Sequence, residues 1–219
     1  MTGRAHDDGR DVAAAIAAGA ALFNEGYVLA AHDPWETAWL PLDGDGDERE
    51  AADERLLHGL IAAAAATHHA TDRNWSGAVG CAGNGVEYLA AVDGDQRGVD
   101  VTAVREWCRR LADDPETIER ASPPPLRLDG VAPEFDDLDF AATLLAARAL
   151  AEAVAVADEE TVETAATLAR EERGTGRTRF TELLFAFLRE PETRPQVAAR
   201  IADHVDLADR RRRDVDDLF

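Results

Sequence analysis

Apolar residues in this chain recur at the spacing of a helix, and no stretch shows a convincing strand pattern. Phe180, Leu183, Leu184, Phe187 and Leu188 fall at i, i+3, i+4, i+7 and i+8, the stripe of a helix with one face turned inward. Leu57, Leu60, Ile61, Ala64 and His68 form a second such stripe within a pattern that runs from about Glu48 to Thr71. The expected fold class is all-α, a multihelical bundle.

Helix punctuation divides the rest. The alanine-rich segment from Asp11 stops at Asn24 and Gly26, and Tyr27 opens a helix to about Leu40. Inside that helix Asp33, Pro34, Trp35 and Glu36 have the form of a capping box, so it restarts or kinks there. Asp43 to Asp47 alternates Asp and Gly as a solvated loop. Ser76 to Val92 is a small-residue helix whose Gly77, Gly80, Gly83 and Gly85 permit close backbone approach. Asp100 caps a helix through Leu111, closed by Pro115. The run Ser122 to Pro125, with Asp129, Gly130 and Pro133, cannot continue a helix and marks the best boundary. Helices are expected beyond it over Leu138–Asp158, Glu159–Arg173, Thr178–Leu188 and Gln196–Ala208. The resulting organisation is a flexible N-terminus (1–10), a helical core (11–115), a Pro-rich connection (116–137), a C-terminal helical region (138–208) and a charged, frayed tail (209–219).

Charge bounds the surroundings. The chain carries 44 acids against 23 bases, a formal charge of −21, and every base is arginine. Such a charge repels itself in dilute buffer, whereas at molar salt the Debye length shrinks to about 3 Å. A salt-rich cytoplasm is the expected setting, so the acidity describes a solvent and not a basic partner. Nucleic acid, which wants a basic patch, is excluded as a partner; Arg210 to Arg213 sits between acidic neighbours. No apolar run reaches the roughly 18 residues of a membrane span, and the charged N-terminus does not read as a signal peptide. Cys81 and Cys108 have no zinc-binding spacing and are expected to be reduced. No GxSxG, P-loop, GxGxxG or HExxH string occurs.

Two separated blocks carry a likeness. Ala21 to Trp39, ALFNEGYVLAAHDPWETAW, and Gly59 to Ala78, GLIAAAAATHHATDRNWSGA, resemble in order the two motifs of the family known as domain of unknown function 309. In the first block Leu22, Phe23, Asn24, Gly26, Ala31, His32, Glu36 and Trp39 fit; in the second, Gly59, Leu60, Ile61, His68, His69, Asn74, Gly77 and Ala78. The likeness extends over about residues 14 to 92. It implies antiparallel helical hairpins, to which the helices after the proline run add a C-terminal extension, and it implies no activity. Departures are Val28 at the family's tyrosine position, Ala30 and Ala62 for a glutamate and a glutamine, Asp33 for a glutamate, Pro34 within helix, and Arg73 where glycine is usual.

One polar cluster is a candidate site. Val28, His32, Trp35 and Trp39 share a helical face, with Glu36 one turn from His32. An antiparallel pairing would bring His32 and Glu36, with Asp33 beside them, to His68. Two histidines and a carboxylate can hold a divalent metal with open positions. The same groups also satisfy one another inside a helix interface without chemistry, and Asp33 and Glu36 have the capping box as their own role. Tyr27, Trp35 and Trp39 line an aromatic groove or anchor the core. His58 and His69 share a flanking stripe expected to face solvent, and His6 and His204 lie in surface segments. The terminal Leu218 and Phe219 could dock in a groove, although acidic tails are usually solvated.

Two classes of function are compatible with these residues. One is a binding or scaffold protein that engages a protein partner or a second copy through a helical groove, with no cofactor. The other is a metal-assisted enzyme, perhaps a hydrolase, built on His32, Glu36 and His68.

Overall fold

Gly26 takes φ +88°, a left-handed turn that costs glycine nothing and ends the first helix. Tyr27 then donates its N–H to the Leu22 carbonyl at 2.8 Å, closing a Schellman turn. The structure is a computed structural model that describes residues 4–42, 47–92 and 96–216. Among them are nine α-helices, three single 3-10 turns and no strand beyond isolated bridges at Val99–Leu128 and Leu128–Val131. The all-α expectation holds. No helix among the described residues is long and apolar enough to cross a membrane.

The chain divides into two compact units, Met1–Ala142 and Thr143–Phe219. In the first, α1 (Arg4–Asn24) is buried almost throughout from Val12 to Phe23. Next comes α2 (His32–Trp39), whose cap is Ala31, with no side-chain acceptor. The helix expected to open at Tyr27 begins only at His32, since Val28 to Ala31 form turns, and the capping box at Asp33 is not what caps it. Pro34 falls in the first turn, where its missing N–H breaks no intrahelical bond. Trp35 is completely buried in the notch at Gly19, where any Cβ would overlap the indole.

Two long helices form the hairpin that carries the unit, α3 (Glu48–Thr71) and α4 (Trp75–Ala90). They approach closely: Leu89 fills the space over Gly59, and a Cβ on Gly85 would stand 2.9 Å from the Cys108 sulfur and 3.6 Å from Ala62. Helix α5 (Val101–Asp113), capped by Asp100 as expected, covers them with Trp107 and Leu111 over Ala66, Ala70, Ala78 and Ala82. The Trp107 indole donates to the Thr67 hydroxyl at 2.9 Å, and that hydroxyl donates to the Ala63 carbonyl at 2.8 Å. Asp53 is buried in α3 and is held by Arg97 Nε at 2.7 Å and Gln96 Nε2 at 2.8 Å.

The Pro-rich connection is not a spacer between the units. Its Leu126 and Phe135 are buried, as is Leu138 just after it, and the division falls beyond. Asn24 holds it from α1, with three hydrogen bonds to the backbone of Leu126 and Pro133.

In the second unit, α6 (Phe140–Val154) begins at the division and precedes α7 (Glu159–Glu172), α8 (Arg179–Arg189) and α9 (Arg194–Asp216). The Phe180 to Leu188 stripe is buried as expected. Glu172 accepts the Phe180 N–H at 3.0 Å at one end of α8. At the other, the buried Arg194 donates to the carbonyls of Phe187 and Leu188 at 2.8 and 3.1 Å. Helix α9 runs past Ala208, because Arg212 reaches Glu171 at 2.7 Å and Arg210 pairs with Asp206 at 3.9 Å, one turn back. The N-terminal side chains, with His6, and the terminal Leu218 and Phe219 lie outside the described residues, as do Asp43 to Gly46.

Candidate functional site

The expected polar cluster separates into two local pairs. His32 Nδ1 lies 3.6 Å from Glu36 Oε2 along α2, and His68 Nε2 lies 3.4 Å from Asp72 Oδ2 at the end of α3. Each histidine thus has an acid one helical turn ahead of it. Among the described residues no group of three or more His, Cys, Asp or Glu side chains is placed to hold a metal ion, so His32, Glu36 and His68 do not come together as a ligand set. Asp33 lies in the first turn of α2, beside the His32–Glu36 pair.

The three aromatics expected to share a groove have three different surroundings. Trp35 is core, its indole N–H turned toward the Ile16 carbonyl at 3.5 Å. Tyr27 stacks on Phe135 of the connection, ring centres 6.2 Å apart. Trp39 lies against His58 of α3, ring centres 4.2 Å apart, and the other neighbour of that imidazole is Tyr88 of α4 at 4.7 Å.

This stack of Trp39, His58 and Tyr88 draws one ring from each of three helices. His58 is half-buried between the other two rings and not out in solvent as its stripe suggested. Burial lowers its pKa from the ordinary 6.5, and Glu54, one turn earlier, offsets part of that. The imidazole is therefore neutral at pH 7, able to donate or accept but carrying no charge. The Trp39 Nε1 is buried and has no hydrogen-bond acceptor among the described residues, a group that natural proteins rarely leave unsatisfied. Tyr88 is 38% exposed and carries the stack to the surface.

Beside Tyr88 lies the outer face of α4. Ser76, Val79, Gly80, Asn84 and Glu87 are exposed there. Close packing accounts for Gly85, against Cys108, and for Gly77, whose Cβ would stand 2.7 Å from the Asn74 amide. It does not account for Gly80 and Gly83, where a Cβ would meet nothing within 4 Å. From Asn74 to Val86 the sequence has no charged residue, in a chain of which 31% is charged.

The polar residues of the second motif are engaged in the α3–α4 turn. Asn74 Oδ1 accepts the Gly77 N–H at 3.2 Å, which makes its Nδ2 the donor to His69 Nδ1, also at 3.2 Å. His69 therefore carries its proton on Nε2. Arg73 takes φ +59°, the left-handed conformation that a glycine would adopt without cost.

Residues 16–81 match the family described as Domain of unknown function (DUF309). That is well under half of the chain, ends inside α4, and confirms the resemblance carried by the two blocks. No curated protein matches the chain.

Proposed function

We propose that this chain is a helical binding protein that associates with a second copy of itself through the outer face of α4 and the Tyr88 edge of the aromatic stack. The observation that carries this is an exposed helix face without a charged residue from Asn74 to Val86, bordered by Glu87, in a chain of net charge −21. Two copies with that charge repel over most of their surfaces, and they approach at least cost where neither presents a charge to desolvate. A basic partner would have no such preference for α4. Gly80 and Gly83 favour the same face: each costs a helix interior about 1 kcal/mol relative to alanine, and nothing among the described residues occupies the space they leave. Small residues let two backbones come close, and Val79 and Tyr88 supply apolar contact beside them.

Sedimentation equilibrium in molar KCl tests this. A dimer is expected for the wild type, and monomers with unchanged helical circular dichroism for Val79→Glu and Gly80→Arg. A wild type that stays monomeric at every concentration, or variants that dimerise as well as it does, would overturn the proposal. The expected alternative, a metal-assisted reaction at His32, Glu36 and His68, needs His68 beside the His32–Glu36 pair, whereas His68 pairs with Asp72 instead. Stoichiometric metal in purified protein, released by His32→Ala with the fold intact, would replace a binding role with that chemistry.

A further inference from the structure

The elbow after α1 treats a distant part of the chain as a ligand. Asn24 Oδ1 accepts the Leu126 N–H at 2.8 Å, and Asn24 Nδ2 donates to the carbonyls of Leu126 and Pro133, both at 3.0 Å. One carboxamide thus engages both backbone groups of a single residue, as a neighbouring β-strand would, and commits both of its own N–H donors. Beside it Tyr27 stacks on Phe135 at an interplanar angle of 26°. Between these two anchors the segment pairs with the loop before α5, where Asp100 donates to the Arg127 carbonyl at 3.1 Å and Asp129 to the Gly98 carbonyl at 2.8 Å. Pro123, Pro124, Pro125 and Pro133 have no N–H to give, so the segment cannot strengthen its hold by becoming helix or a longer ladder.

We infer that the Asn24–Tyr27 elbow is a binding site for extended peptide backbone, filled in this chain by its own residues 126–135, and that this strap leaves the elbow as one unit while the helices stay folded. Segments held by a few loop hydrogen bonds and three buried side chains, here Leu126, Pro133 and Phe135, open at free energies below that of the whole domain. While the strap is seated, the chain is held on the first unit as far as Leu138; once it leaves, the free length begins near Ala121.

Limited trypsin digestion at constant salt reads this directly, because the chain has no lysine and Arg127 lies within the strap. Wild type should be cut slowly after Arg127. Asn24→Ala loses three hydrogen bonds and should be cut there at least about tenfold faster. Cleavage after Arg55 in α3 and the helical circular dichroism should not change. Asn24→Asp keeps the acceptor for Leu126 N–H but loses both donors, and should fall between. Equal rates at Arg127 in wild type and Asn24→Ala would overturn the inference. If the variants do not fold, amide exchange in the wild type decides. Leu126, Asp129 and Val131 exchanging together and ahead of α3 supports a strap; exchange no faster than that of α3 removes it.

Discussion

Asp53 offers the sharpest test of how the first unit is held together. Its carboxylate sits in the middle of α3 at 2% residue exposure, and Arg97 meets it with both Nε and a terminal nitrogen while Gln96 adds a third donor. Arg97 does this from a backbone at φ +55°, a left-handed conformation that costs a residue with a Cβ about 1–2 kcal/mol. Asp53→Ala would leave a half-buried guanidinium and a half-buried amide beside an empty space, and breaking such a pair from one side costs up to about 3–5 kcal/mol. That is a large part of the roughly 5–15 kcal/mol that keeps a domain folded. Arg97→Gly should cost less, by about the strain it relieves, while it strands the carboxylate. Replacing both partners at once, Asp53→Leu with Arg97→Gly, removes the charges and the strain together and should return stability to within about 1–2 kcal/mol of wild type. Urea denaturation at fixed molar salt, followed by circular dichroism, measures all three. If Asp53→Ala costs less than about 1 kcal/mol, or if the double variant is as poor as the sum of the singles, the pair is not the buried, mutually dependent unit described.

Two further outcomes separate neighbouring groups. Trp35→Phe removes a fully packed ring from the Gly19 notch and should cost about 2 kcal/mol or more, whereas Trp39→Phe also deletes a buried N–H with no acceptor and should stay within about 1 kcal/mol of wild type; equal losses in thermal denaturation would contradict the assignment. His58, with a folded pKa below 6.5, takes up its proton later than the unfolded chain does, so its contribution is whole above that pH and declines as pH falls through it. An NMR titration should place its midpoint below 6.5, and His58→Gln should flatten that limb of the stability curve; a midpoint at or above 6.5 would remove the desolvated stack.

Where the signals were local, the sequence could be read to the residue. Helix α3 occupies Glu48–Thr71 as its periodicity required, and Asp100 caps α5, because a cap and a stripe are both decided within one turn. The site was less visible. His58 looked solvated because α3 was taken alone; its partner Tyr88 stands nearly the same distance beyond the Arg73–Asn74 turn as His58 stands before it, so the hairpin register held the signal. His32 and His68 were expected to converge, yet each is followed at i+4 by an acid, Glu36 and Asp72, and the nearby partner wins over the distant one. The connection was read as a boundary because proline and glycine speak only for the backbone they occupy. Nothing local to Leu126 announces an asparagine 102 residues away. Helix α9 outran its expected end for the opposite reason, since its last turns rest on charged pairs and not on an apolar stripe.

What the motif residues do bears on where function can lie. Asn24 has both donors committed to the strap, Asn74 and His69 are spent on the α3–α4 turn, and Gly26 and Gly77 answer to backbone geometry and crowding. A polar side chain whose hydrogen bonds are already made inside the fold can serve a ligand only by breaking them, at about 1 kcal/mol or more apiece. The part of the chain that resembles a family therefore acts as a frame. Among the groups left uncommitted are the Trp39 indole N–H, the Tyr88 edge and the outer turns of α4 from Asn74 to Val86, and Tyr88 lies beyond the matched residues, on a helix that the match cuts in two. A partner that needed the motif itself would have to unlatch Asn24 or open the hairpin turn, whereas one that lands on α4 finds the frame closed and the surface ready.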